Sequence, residues 1–160
     1  MHTYIRMSSL AVAITFALYG GSTFATTINN GEEKFVDYEW TDSNTRVGDG
    51  SDGTLTISDN GQLNTNLLTI GQGGANGIVN VINGGNLSLD ITSPYSTPFS
   101  IGGSKAGATT GPSRTGTGTL NISGAGSTVT TYPDRATLVG AGFGEGYMNV
   151  LNGGKFLSYG

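Results

Sequence analysis

Short runs of alternating apolar and polar residues recur along this chain, each opened by glycine. Gly53-Thr54-Leu55-Thr56-Ile57, Gly77-Ile78-Val79-Asn80-Val81, Gly118-Thr119-Leu120-Asn121-Ile122 and Gly146-Tyr147-Met148-Asn149-Val150 share one form. Before each run stands an aliphatic residue followed by glycine: Val47-Gly48, Ile70-Gly71, Ile101-Gly102 and Val139-Gly140. A period of two is the mark of a β-strand with one buried face. Leu55 and Ile57, Val79 and Val81, Leu120 and Ile122, and Met148 and Val150 fall on one side and form the expected core. Thr54 and Thr56, Ile78 and Asn80, Thr119 and Asn121, and Tyr147 and Asn149 fall on the other, expected outer, side. Equivalent strands stacked about 4.8 Å apart would align Asn80, Asn121 and Asn149 in an amide ladder, interrupted at Thr56. Its first expected role is to stabilise the stack, and a row that binds glycans is the alternative.

The residues after each run repeat as well. Ser58-Asp59-Asn60-Gly61, Ile82-Asn83-Gly84-Gly85 and Leu151-Asn152-Gly153-Gly154 supply the positive-φ positions of a tight turn, and Ser123-Gly124-Ala125-Gly126-Ser127 takes their place in the third copy. Each unit therefore reads as strand, glycine turn, strand and a variable return. The opening glycines Gly53, Gly77, Gly118 and Gly146 lie 24, 41 and 28 residues apart, so the strands keep their pattern while the connections vary. Repetition on this scale predicts stacked units that bury their apolar faces against one another, an all-β solenoid of about four to five rungs.

Both ends depart from the pattern. Residues 1–25 carry Arg6, an apolar run from Leu10 to Tyr19 and the small-x-small exit Thr23-Phe24-Ala25. They read as a Sec-type signal peptide cleaved after Ala25, and the run falls short of the roughly 20 apolar residues of a spanning helix. A lipoprotein anchor is excluded because no cysteine follows the run. Residues 26–46 read as an N-terminal cap. Glu32 to Trp40 holds four acids and three aromatics, with Trp40 as a plug over the first rung or the centre of a small ligand site. Residues 47–160 hold the repeats. The last unit runs out at Lys155-Phe156-Leu157-Ser158-Tyr159-Gly160 without a matching cap, so the expectation is a chain truncated from a longer repeat protein.

Composition narrows the function. Glycine accounts for 28 of 160 residues and only 11% are charged, values that suit disorder until the aliphatic period is considered. The stretch after Ala25 has 6 Lys and Arg against 11 Asp and Glu, a net charge of −5 that argues against nucleic-acid binding. There is no cysteine, and the single histidine, His2, precedes the cleavage site. Ser-His and Cys-His nucleophiles and ordinary zinc sites are thereby removed. Acid-pair catalysis would need carboxylates at equivalent positions, and Asp49, Asp52, Asp59, Asp90, Asp134 and Glu145 do not recur. Gly48-Asp49-Gly50-Ser51-Asp52 has a faint likeness to a calcium turn, but occurs once and has Thr54 where an aliphatic residue belongs; an ordinary turn is expected. Gly71-Gln72-Gly73-Gly74 lacks the Lys-Ser/Thr and the helix of a phosphate loop. No catalytic, cofactor-binding or metal-binding residue is assigned. Residues 92–99, the connection between Gly102 and Gly118 with Lys105 and Arg114, and Tyr132-Pro133-Asp134-Arg135 are the candidate contact loops, with plain solvated connections as the simpler reading.

The units resemble the repeat shared by type V secretion (autotransporter) passenger domains and PEP-CTERM proteins: a (Val/Ile)-Gly-x-Gly entry, then Gly-Thr-Leu-Asn-Val/Ile, then Ser-Gly-Ala-Gly-Ser-Thr or Asn-Gly-Gly. Residues 118–129 carry it most plainly, and the unit at 53–63 departs from it with Thr56 for Asn and Asp59-Asn60 in the turn. The resemblance covers roughly 47–160. It implies a right-handed parallel β-helix on the bacterial surface, often in adhesins and usually continuing into a C-terminal outer-membrane barrel; no such barrel is expected in the 160 residues. The expectation is an adhesin-like, non-enzymatic N-terminal passenger fragment with host-surface or self-association partners and no transmembrane segment in the mature chain. It would be periplasmic, surface-exposed or secreted, with the full-length parent in the outer membrane. The alternatives are a β-helix fragment acting on polysaccharide, or a remnant without present function.

Overall fold

The structure is a computed structural model that describes residues 25–89, 97–103, 115–132 and 136–159. Residues 1–24 of the stretch 1–25 read as a signal peptide, most of the three candidate contact loops, and Lys105, Arg114 and Arg135 lie outside the described residues. Those described form fifteen β-strands and no helix. Rung one is β1 (Ala25–Ile28), β2 (Glu32–Val36) and β3 (Glu39–Asp42); rung two is β4 (Asn44–Asp49), β5 (Gly53–Ile57) and β6 (Gln62–Thr65). Rung three is β7 (Leu68–Gln72), β8 (Asn76–Ile82) and β9 (Asn86–Leu89); rung four is β10 (Phe99–Ile101), β11 (Thr117–Ser123) and β12 (Thr128–Thr131); rung five is β13 (Thr137–Val139), β14 (Glu145–Leu151) and β15 (Lys155–Ser158).

Strands three apart in sequence pair side by side, all in parallel. They build three five-stranded sheets, β1-β4-β7-β10-β13, β2-β5-β8-β11-β14 and β3-β6-β9-β12-β15. The described residues form a parallel β-helix of five rungs, an all-β solenoid within the four to five rungs that the repeats predict. The stretch read as a cap, 26–46, forms rung one and the start of β4, except that β1 begins at Ala25, the last residue read as signal peptide, which pairs with Asn44 of β4. The returns, read from sequence as irregular, each contain a third strand. The aliphatic-glycine pairs are the ends of those strands, which the turn at the following glycine kept from showing a clear period of two.

The opening glycines are in register across the second sheet: Gly53 pairs with Gly77, Gly77 with Gly118, and Gly118 with Gly146. The reason is a corner too tight for a side chain. A Cβ on Gly77 would overlap the carbonyl oxygen of Val47 one rung below, and one on Gly118 would overlap that of Ile70. Inside, side chains stack in columns. Leu55, Val79 and Leu120 form one, continued by Met148; Ile57, Val81 and Ile122 form the next, continued by Val150. All six residues of rungs two to four are fully buried, and Phe99 is the largest fully buried side chain. Met148 and Val150, expected in the core, are 37% and 43% exposed. They hold the inward register but have a rung on one side only.

Candidate functional site

The outer face of the second sheet carries the aligned amides. Asn149 Nδ2 donates to Asn121 Oδ1 at 2.9 Å, and Asn121 Nδ2 donates to Asn80 Oδ1 at 2.9 Å. Asn80 Nδ2 then donates to Thr56 Oγ1 at 3.3 Å. Thr56 therefore ends the ladder as an acceptor rather than interrupting it, because its hydroxyl oxygen stands where a side-chain amide oxygen would. Phe35 is the next residue of that column, and Thr56 is buried although it lies on the outer side. All donors point toward rung one, so the bonds are polarised in one direction and reinforce one another. A single outer column of paired amides, with Ile78 and Tyr147 partly exposed beside it, can hold rungs in register. Its amide groups are largely spent on one another.

The corner between the first and second sheets holds the carboxylate of the calcium-like sequence. Asp52 Oδ1 accepts from the backbone N–H of Asn76 at 2.8 Å and from its Nδ2 at 3.3 Å, joining rungs two and three. These bonds, the backbone one first, hold the Asp52 carboxyl below its ordinary range. Asp49 faces Arg46 Nε at 4.0 Å. Gly48-Asp49-Gly50-Ser51-Asp52 is thus a turn whose carboxylates are engaged within the protein. No group of three or more His, Cys, Asp or Glu side chains able to hold a metal occurs among the described residues. Gly71 to Gly74 spans the end of β7 and the corner after it. On rung five the Tyr147 hydroxyl donates to Glu145 Oε2 at 3.1 Å, and the facing carboxylate raises the phenol above its ordinary range.

Rung one closes its end of the core with polar chemistry that the sequence reading missed. Lys34 occupies the inward column of Leu55, and Trp40 that of Leu63. Lys34 Nζ stands 4.2 Å from the centroid of the Trp40 ring, and Trp40 packs against the core. Two residues on, Asp42 shares the inward column of Thr65 and is 2% exposed. Its Oδ2 accepts from Thr45 Oγ1 at 2.9 Å and from the backbone N–H of Thr26 at 3.2 Å. Thr65 Oγ1 donates to the carbonyl of Leu67 at 2.9 Å. Asp42 Oδ1 is buried with no hydrogen-bond partner, as is Asn44 Oδ1. Nothing in the local sequence marks Asp42 as inward. Its column becomes visible only once the third sheet is known.

At the other end, rung five is the last of the described rungs. Phe143 is 80% exposed, and Leu151, Leu157 and Tyr159 are exposed on rung five. Phe156 stacks on Phe99 at a centroid distance of 6.5 Å and is partly buried. Exposed Glu32, Glu33, Asp37 and Glu39 line the first end, whereas the described part of rung five offers Glu145 and Lys155 amid apolar side chains. Comparison with protein-family models, with curated proteins and with solved structures gives no match to this chain.

Proposed function

We propose that this chain is an exported, non-catalytic surface scaffold: the N-terminal part of an adhesin-like autotransporter passenger. The carrying observation is the stack itself. Five rungs in register devote their inner columns to packing and one outer column to an amide ladder. Several of the sparse charged groups support the same reading, because they are engaged within the frame. Asp52 ties two rungs together, Arg46 faces Asp49, and Lys34 covers Trp40. A stiff solenoid of this kind displays connections and a long outer face away from a membrane. The signal-like residues 1–25 and the (Val/Ile)-Gly and Gly-Thr-Leu-Asn repeats favour a passenger over an intracellular solenoid.

The test is display. The 160-residue chain, fused in frame to a heterologous outer-membrane barrel, is expected to reach the surface of a Gram-negative host and to make the cells adhere to epithelial cells or to each other. Display without any gain in adherence overturns the adhesin reading. Turnover of any polysaccharide by the purified 26–160 chain overturns the non-catalytic one.

A further inference from the structure

We infer that cleavage after Ala25 creates an α-ammonium on Thr26 that locks into the buried carboxylate of Asp42, so that processing itself completes the first rung. The inference rests on the export reading above. Two independent observations meet at one atom. The small-x-small exit Thr23-Phe24-Ala25 puts the scissile bond between Ala25 and Thr26. The fold puts the nitrogen of that same bond 3.2 Å from Asp42 Oδ2.

The chemistry is hydrolysis by the export pathway's signal peptidase. Water adds across the Ala25–Thr26 peptide bond, Ala25 leaves with the new carboxylate, and Thr26 keeps the nitrogen, which takes up a proton at neutral pH. Before cleavage that nitrogen is an amide with one hydrogen to donate. Afterwards it is a cation with three. The surroundings are short of donors: Asp42 Oδ1 has none, and neither has Asn44 Oδ1, whose residue pairs with Ala25 in the register. Asp42 is 2% exposed, so a charge-assisted bond there is little screened. The scissile bond need not be reached in the folded protein, because export precedes folding.

The neighbours favour this pairing. Lys34 on β2, the cation that shares the interior of rung one, stands over Trp40. Arg46 on β4 lies beside Thr27 in the register and faces Asp49. Thr45 on β4 and Thr65 on β6 bring hydroxyls and no charge. Pairing with a carboxylate raises an amine above its ordinary range of about 7.7–8.0. The folded value then exceeds the unfolded one. The added stability is fully present below about pH 7.7 and is lost as pH rises through the folded value.

The experiment has two arms. Mass spectrometry of the chain recovered from the periplasm of a Gram-negative host tests processing. A mature start at Thr26 is expected; a chain confined to the cytoplasm with Met1 retained would defeat the export reading, and a periplasmic chain that starts at another residue would defeat the cleavage step of the inference. For the lock itself, chain 26–160 is released from a fusion with Thr26 first, and its melting is compared with that of the same chain N-acetylated and of one that keeps Ala25. The free amine is expected to melt about 5–10 °C higher at pH 6.5 than the acetylated chain, and the gap should close as the pH is raised beyond 9. Asp42→Asn should erase the gap. Should that variant not fold, the pH series on the native sequence decides. Equal melting of free and acetylated chains at pH 6.5 overturns the inference whatever the processing result.

Discussion

Asn121 is the residue on which the outer ladder turns, since it both donates to Asn80 and accepts from Asn149. Asn121→Ala leaves Asn80 Oδ1 without its donor and Asn149 without its acceptor. It should cost about 1–2 kcal/mol in denaturant unfolding. Asn149→Ala removes one bond at an exposed position and should cost about 0.5 kcal/mol. Equal costs would show that the ladder is incidental to stacking. Asp52 offers a test by titration. Its folded value lies below the unfolded one, so its contribution is present above about pH 3.9 and is lost as pH falls through the folded value. The Asp52 carboxyl should titrate in NMR below the ordinary aspartate range, and Asn76→Ala should move it upward. The alignment of amides was legible in sequence because alternation fixed which side each Asn takes. The part played by Thr56 was not, because an oxygen acceptor can come from a hydroxyl as readily as from an amide.

At the level of strands and corners, the register makes two neighbours unequal. Leu120 is fully buried, whereas Thr119, one residue away, lies on the outer side. Leu120→Asp buries an unpaired charge and should cost several kcal/mol, about 4 or more; Thr119→Asp should cost about 0.5 or less. Comparable losses in thermal melting would mean that the strand faces are reversed. The corners separate two kinds of glycine. Gly31 has φ +76° with open space around it, so Gly31→Ala carries only the left-handed penalty of about 1–2 kcal/mol. Gly77→Ala places a methyl group against the Val47 carbonyl and should cost about 3 kcal/mol or more, read in the same melting series. The second-sheet strands of rungs two to five were legible because they run five to seven residues with one apolar side. The first-sheet strands β10 and β13 have three residues each, too few to show a period, and their chemistry blends into the returns. Rung one was hidden for another reason. Lys34 and Asp42 hold inward positions, which breaks the apolar column that identifies a core face elsewhere.

For the whole molecule, the two ends of the stack differ in how their edges are protected. Exposed acids and an inward Lys34 blunt the first edge, a device that discourages pairing with another sheet. Rung five presents Met148, Val150 and Leu151 on an unpaired edge. The purified 26–160 chain is therefore expected to associate as concentration rises, and Val150→Lys should keep it monomeric in sedimentation experiments. Stability in such a stack is a sum over neighbouring rungs, so the middle rung, covered on both sides, should open least often. Native-state hydrogen exchange on the 26–160 chain, made monomeric by Val150→Lys, reads this directly. Amides of residues 77–87 should be the slowest to exchange, and those of 146–156 should be markedly faster. Uniform protection along the chain, or protection greatest at residues 146–156, would contradict a solenoid held together by contacts between successive rungs.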